Sequence, residues 1–229
     1  MNTSPIKIIV TGATGMVGEG VLMECLNDNR VTEVLIVNRK PSGFNHSKLK
    51  EVIHADFFDL SPIEAQLSGY DACYFCLGVS SVGMDADTYY KLTYTLTLNF
   101  AQTLSRLNPN MIFTYVSGSG TDRTEQGKLR WARVKGKTEN DLDKLPFKAE
   151  YNFRPGGLIA AKGAKNIPGW YNWLAWLVKL VGVFMPNGVS TLKQLGRAML
   201  QVTFAGFDKQ DVEAKDIKQL AAQYPSSQH

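Results

Sequence analysis

The chain of 229 residues is 44% hydrophobic and 20% charged, with a net charge of +4. That is the make-up of an ordinary globular domain with a substantial core. Three cysteines, an odd number, argue against a disulfide scaffold, and no dense Lys/Arg block interleaved with aromatics supports nucleic-acid binding. The residues before the first predicted strand are too few for a signal peptide, so a cytoplasmic location is expected. His46, His54 and His229 are scattered and offer no metal constellation.

The apolar run at 6–11 predicts a buried parallel strand, followed by Gly12, Gly15 and Gly18 in the spacing G-x-x-G-x-x-G and by a helix over 16–27. In that context Gly12 turns the chain off the strand, Gly15 admits a phosphate close to the backbone, and Gly18 lets the helix lie on the sheet. The first helical N–H groups then face a diphosphate. The loop residues Gly12, Thr14, Gly15, Met16, Val17 and Gly18 are therefore candidate dinucleotide ligands.

A second strand over 33–38 ends at Asn38, followed by Arg39 and Lys40. An acid at this position favours NAD, whereas two cations suit a 2′-phosphate and point to NADP over NAD. A solvated basic turn is the competing reading, above all for Lys40. A third strand over 49–54 leads to Asp56, placed to accept from an adenine amino group, and to Phe57 beside the ring. Asp59 or Ser61 caps the short helix through Leu67.

The fourth strand spans 71–77 and contains Cys73 and Cys76, which lie three apart, face opposite sides and read as small buried hydrophobes. Leu77 and Gly78 at its end are candidates for the ribose contact. A long helix over 85–107 is not cleanly amphipathic, which suits packing against a second layer or another subunit, so a homodimer is among the expectations. A fifth strand follows over 111–116. The alternation gives a doubly wound, Rossmann-like parallel sheet, with ligands beyond the carboxyl ends of its strands.

After strand five come Ser117-Gly118-Ser119-Gly120-Thr121-Asp122 and a charged helix with Trp131-Ala132-Arg133-Val134-Lys135-Gly136-Lys137. The glycine loop, Ser117 and this helix resemble the short-chain dehydrogenase/reductase superfamily. Gly12-Ala13-Thr14-Gly15-Met16-Val17-Gly18, Val134-Lys135-Gly136-Lys137-Thr138-Glu139 and Phe153-Arg154-Pro155-Gly156 resemble its atypical, Tat-interacting-protein-like branch. The resemblance implies a catalytic Ser at Ser117, a ribose-binding Lys at Lys135, and nicotinamide contacts at Pro155 and Gly156. The position of the proton-transferring Tyr holds Trp131. An indole N–H donates a hydrogen bond but does not ionise near neutral pH, and a lost general acid forfeits roughly 10²–10⁴ in rate. Lys135 acting through water, or Tyr94, are substitutes for that acid. Ser117 reads equally as a loop-satisfying hydroxyl, and Trp131 as a wall of the nicotinamide pocket. The basic run Lys128, Arg130, Arg133, Lys135 and Lys137 borders the cleft or forms a solvated face.

A sixth strand over 149–154 completes the core, and 160–229 is read as a mostly helical substrate cap within one domain. The apolar stretch 170–185 is too short for a membrane span and reads as a lid, a subunit interface or an interfacial membrane anchor, the last disfavoured because its polar face lacks several basic residues. Ser190 or Thr191 caps a helix over 192–204, a polar helix covers 211–224, and a disordered tail is expected after it. Two functions follow. One is an NADP-dependent oxidoreductase acting on a carbonyl, a hydroxyl or a sugar nucleotide. The other is a catalytically weak, dinucleotide-binding regulatory or scaffold protein.

Overall fold

The computed structural model describes residues 4–160, 166 and 188–225. The apolar stretch 170–185, most of the loop before it and the tail after 225 lie outside them.

Six strands and the first helix form where the apolar pattern puts them: β1 (Ile6–Thr11), α1 (Met16–Asn27), β2 (Val31–Asn38), β3 (Leu49–Ile53), β4 (Ala72–Phe75), β5 (Ile112–Val116) and β6 (Ala149–Arg154). With β9 (Asp211–Glu213) they build one parallel seven-stranded sheet in the order β3-β2-β1-β4-β5-β6-β9. The order reverses between β1 and β4, and there the strand ends part to leave a ligand crevice.

Strand residues alternate strictly between two cores. Ile8, Val10, Val34, Ile36, Ala72 and Tyr74 pack with α1 and with α6 (Leu192–Ala205) and α7 (Ala214–Gln223). Ile9, Leu35, Val37, Cys73 and Phe75 pack on the other face with α4 (Leu96–Leu107) and Leu142 of α5 (Arg130–Leu142). Cys73 lies in the second core while Cys76 packs against the first, as opposite faces require. A short helix α2 (Glu64–Leu67) follows a 3-10 turn at Ser61–Ile63, and Asp59 accepts from the Ser61 amide and hydroxyl at 3.0 and 2.7 Å.

The helix expected over 85–107 forms as one continuous run, α3 (Ala86–Tyr90), a π segment at Lys91–Thr95 and α4, with helical dihedrals at both joins and Asp85 as its N-cap. Its apolar residues Leu98, Phe100, Ala101 and Leu104 pack in the second core, the second layer that its pattern suited. Two other expectations are corrected. The segment 211–224 opens as a strand, because Asp211, Val212 and Glu213 pair with Asn152, Phe153 and Arg154 before α7 begins. Finally, α6 and α7 bury their apolar faces in the first core with α1, so this part of the expected cap is a layer of the sandwich itself. Thr191 caps α6 with a reciprocal Gln194 capping box, and Ser190 does not. A two-stranded parallel ribbon of β7 (Gly157–Ile159) and β8 (Val189–Thr191) lies beside the main sheet.

Candidate dinucleotide site

The glycine loop is built by close approach. Gly12 sits at φ 71°, in the left-handed region, and the Gly15 amide turns back to the Gly12 carbonyl at 2.9 Å. A Cβ on Gly18 would fall 2.2 Å from that same carbonyl oxygen, so only glycine lets the helix rest on the turn. No side chain caps α1 at Gly15 among the described residues, which leaves its first amides free to meet an anion.

Two clefts flank this loop along the carboxyl ends of the strands. The first, of about 450 Å³, is lined by Val17, Leu77, Gly78, Ser117, Ser119, Trp131, Lys135, Pro155 and Gly156, among others. The second, of about 520 Å³, is lined by Gly12, Thr14, Asn38, Arg39, Lys40, Phe57 and Leu77, among others. Leu77 is common to both, so the two clefts lie on either side of it. Gly15, Met16 and Gly18 shape the turn and border neither cleft.

At the second cleft, Arg39 and Lys40 are exposed and make no ion pair among the described residues. Asn38 is buried, and its amide donates to Glu51 Oε1 at 3.0 Å, where the Ser42 amide also donates at 2.9 Å. The cations thus extend from a pinned turn. Phe57 is buried against Phe100, ring centroids 5.9 Å apart, and offers the cleft only an edge of the core. Asp56 is exposed, accepts from the Phe58 amide at 2.8 Å, and does not border the cleft.

At the first cleft the two serines part company. Ser117 is buried, and its hydroxyl donates to Glu139 Oε1 at 2.6 Å and lies 3.3 Å from the Phe153 carbonyl oxygen. Glu139 is itself fully buried and accepts from both Nε (2.9 Å) and a terminal nitrogen of Arg154. Arg154 also pairs with Asp211 (2.9 Å) and Glu213 (3.2 Å) of β9. Ser119 is exposed at the cleft, its amide held by the Pro155 carbonyl at 3.0 Å. The hydroxyl presented to a ligand is therefore that of Ser119, which sequence reasoning passed over. The signal for Ser117 being taken up was the Glu139–Arg154 pair, visible only once β6 lies beside α5.

Lys135 Nζ donates to the Ser117 carbonyl. Burial pulls its ammonium down to about 8, with Glu139 opposing the shift. Gly136, next in the chain, has no room for a Cβ because the Asp122 carbonyl oxygen would lie 1.8 Å away. That contact packs the loop after β5 onto α5 and fixes Lys135 at the cleft. Trp131 lines the same cleft one turn earlier. Tyr94 does not line this cleft: its hydroxyl donates to Asp141 at 2.7 Å, and burial together with that hydrogen bond pushes its phenol up to about 12. Of the basic run on and before α5, only Lys135 lines the cleft. The tight seat of Gly156 has a plain backbone cause, since a Cβ there would fall 2.0 Å from the Gly188 carbonyl oxygen.

The sequence profile of the NAD dependent epimerase/dehydratase family matches residues 8–126, which include most of β1, the glycine loop and β2 to β5. The chain is 26% identical to Protein HTATIP2 of Rattus norvegicus over 171 residues, 74% of this chain and 68% of that one. It is 24% identical to Protein FMP52, mitochondrial, of Candida albicans over 189 residues, 76% of this chain and 81% of that one. A short-chain dehydrogenase from Burkholderia cenocepacia in complex with NADP superposes with a TM-score of 0.65 at 15% identity, covering 97% of this chain and 94% of that one. The Bordetella bronchiseptica enzyme WbmF in complex with NAD+ gives 0.67 at 14% identity, covering 97% and 78%.

Proposed function

The chain belongs to the NAD-dependent epimerase/dehydratase family, and from that premise we propose that it is an NADP-dependent oxidoreductase of the short-chain type, acting on a carbonyl or hydroxyl group. One observation carries the reading: a single glycine loop stands beside two clefts that share Leu77, one edged by exposed Arg39 and Lys40, the other by Lys135, Trp131 and Ser119. A dinucleotide has that asymmetry, a phosphorylated ribose at one end and a nicotinamide at the other. The uncapped start of α1 fits the diphosphate between them.

On this reading Thr14 and the α1 amides hold the diphosphate, Arg39 holds the 2′-phosphate with Lys40 adding charge, and Pro155 and Gly156 edge the nicotinamide. When bound, the nicotinamide supplies or accepts a hydride. The chain's own groups handle the oxygen. Ser119 Oγ donates to it, and Lys135 Nζ, with its affinity for a proton near pH 8, exchanges the proton that a tyrosine would have moved. Ser117 works from behind, its carbonyl anchoring Lys135 and its hydroxyl committed to Glu139.

The test pairs NADPH binding, read by fluorescence quenching, with NADPH oxidation over a panel of carbonyl compounds, for wild type and Trp131→Tyr. Binding with turnover by wild type supports the reading. Binding without turnover by wild type, with turnover by Trp131→Tyr, assigns the chain instead to a dinucleotide-binding regulatory or scaffold role.

A further inference from the structure

The charges around the first cleft are already engaged. Arg130 donates to the Met84 carbonyl at 2.6 Å and the Ser81 carbonyl at 3.4 Å, and Arg133 to the Gly127 carbonyl at 2.6 Å. Lys137 pairs with Asp141 at 3.1 Å. Lys128 does not line the cleft, and Lys135, which does, is turned onto the Ser117 carbonyl. Apart from Ser117 and Ser119, the remaining side chains that line the cleft carry no hydrogen-bonding oxygen and are mostly apolar, with Val79, Trp131 and Leu158 prominent among them.

That apolar character continues onto the surface. Val79 is 37% exposed, Leu129 59% and Val82 88%, and these are three of the six large hydrophobics that the described residues expose. One exposed apolar side chain means nothing by itself, but Val79 lines the cleft, and Val82 and Leu129 stand in the two segments that Arg130 joins beside it. Arg130 gathers them. By gripping the 81–84 carbonyls it ties the loop bearing Val79 and Val82 to the start of α5, directly after Leu129. The second cleft shows the opposite chemistry, exposed cations without ion-pair partners among the described residues. The chain therefore sets its free positive charge at one end of the site and an apolar rim at the other.

We propose that the first cleft takes an uncharged, apolar carbonyl compound of medium chain length, an aldehyde or ketone, whose tail lies against Val79, Val82 and Leu129. The inference rests on the reading of that cleft as the nicotinamide end. A sugar nucleotide is the excluded class, because its diphosphate would meet apolar side chains and cations already bound to carbonyl oxygens. In turnover the C=O π bond breaks, the carbonyl carbon gains a hydride from NADPH and the oxygen gains a proton. The products are an alcohol and NADP+.

The experiment first saturates the full chain with NADPH, then titrates 1-butanol, 1-octanol and UDP-glucose by calorimetry, and in parallel follows NADPH oxidation with aldehydes of three to ten carbons. The expected result is a KM that falls roughly two- to fourfold per added methylene over the middle of the series. Octanol binds, butanol binds far more weakly and UDP-glucose does not. The double variant V82E/L129E, at positions exposed enough to spare the fold, weakens octanol about tenfold, with circular dichroism reporting its structure. If UDP-glucose binds more tightly than octanol, if affinity ignores chain length, or if the double variant keeps the wild-type affinity, the inference is overturned. A failure of NADPH to saturate the chain is a different result, and it removes the proposed function beneath the inference.

Discussion

Replacing Gly18 with alanine tests the geometry of the loop most sharply. The new Cβ would sit 2.2 Å from the Gly12 carbonyl oxygen, 2.4 Å from its carbon and 2.8 Å from the Ala13 nitrogen, all of them backbone atoms that no rotamer change can move. An ordinary contact requires the loop to retreat by about 1 Å. Overpacking of this kind costs about 1–3 kcal/mol, and alanine returns about 0.5–1 kcal/mol through its better helical propensity. The net loss of stability is then about 0–2.5 kcal/mol, a fall in Tm of at most roughly 10 °C for a chain of this size. Binding suffers more, because the α1 amides and the Gly12–Gly15 turn no longer converge on one diphosphate. A displacement of that size costs on the order of 100-fold where geometry is tight. Calorimetric titration of NADPH, with a thermal melt on the same sample, should show affinity down about 100-fold in a folded protein. A folded Gly18→Ala protein with the wild-type Kd would refute the reasoning.

The other predictions concern charge. Arg39→Ala should weaken NADPH about tenfold and leave NADH nearly unchanged, as expected for a lost charge-assisted contact; equal losses for both cofactors would remove the 2′-phosphate role. As pH rises through about 8, Lys135 loses its charge and NADPH affinity should decline, whereas Lys135→Met should bind weakly with no such step between pH 7 and 9. Stability moves the other way. Between about 8 and the ordinary value of 10.5 the unfolded chain holds the Lys135 proton that the folded chain has released, so stability from this group rises with pH across that window. Glu139→Gln leaves Arg154 with Asp211 and Glu213 but strips Ser117 of its charged acceptor, and it should cost about 2–4 kcal/mol, seen as a lower urea midpoint. An unchanged midpoint would mean that the buried Glu139–Arg154 pair holds nothing together.

The sheet was legible in the sequence because its strands are long apolar runs flanked by glycine and polar turns. The ends of β1, α1 and β6 could be read directly from where those runs stop. β9 was not legible, since three residues carry no period, and Asp211–Glu213 becomes a strand only by lying beside Asn152–Arg154. The turn after β1 was legible because Gly12 and Gly18 each have a steric task, one at positive φ and one against the Gly12 carbonyl, and the exposed cations stand directly after β2 where the sequence puts them. The two serines could not be sorted. Ser117 and Ser119 are alike in a string of letters, and which hydroxyl meets the cleft depends on Glu139, twenty-two positions away, and on Arg154 behind it. Phe57 does line the second cleft, but that Phe100 of α4 holds its ring from behind could not be read from its neighbours in sequence.

The central claim is that a phosphorylated dinucleotide spans the two clefts on either side of the glycine loop. Titrating the purified chain with NADPH and NADH in a calorimeter tests it without needing a substrate. The account predicts saturable binding of one dinucleotide per chain, with NADPH the tighter of the two. No saturable heat from either cofactor at millimolar concentration would contradict it.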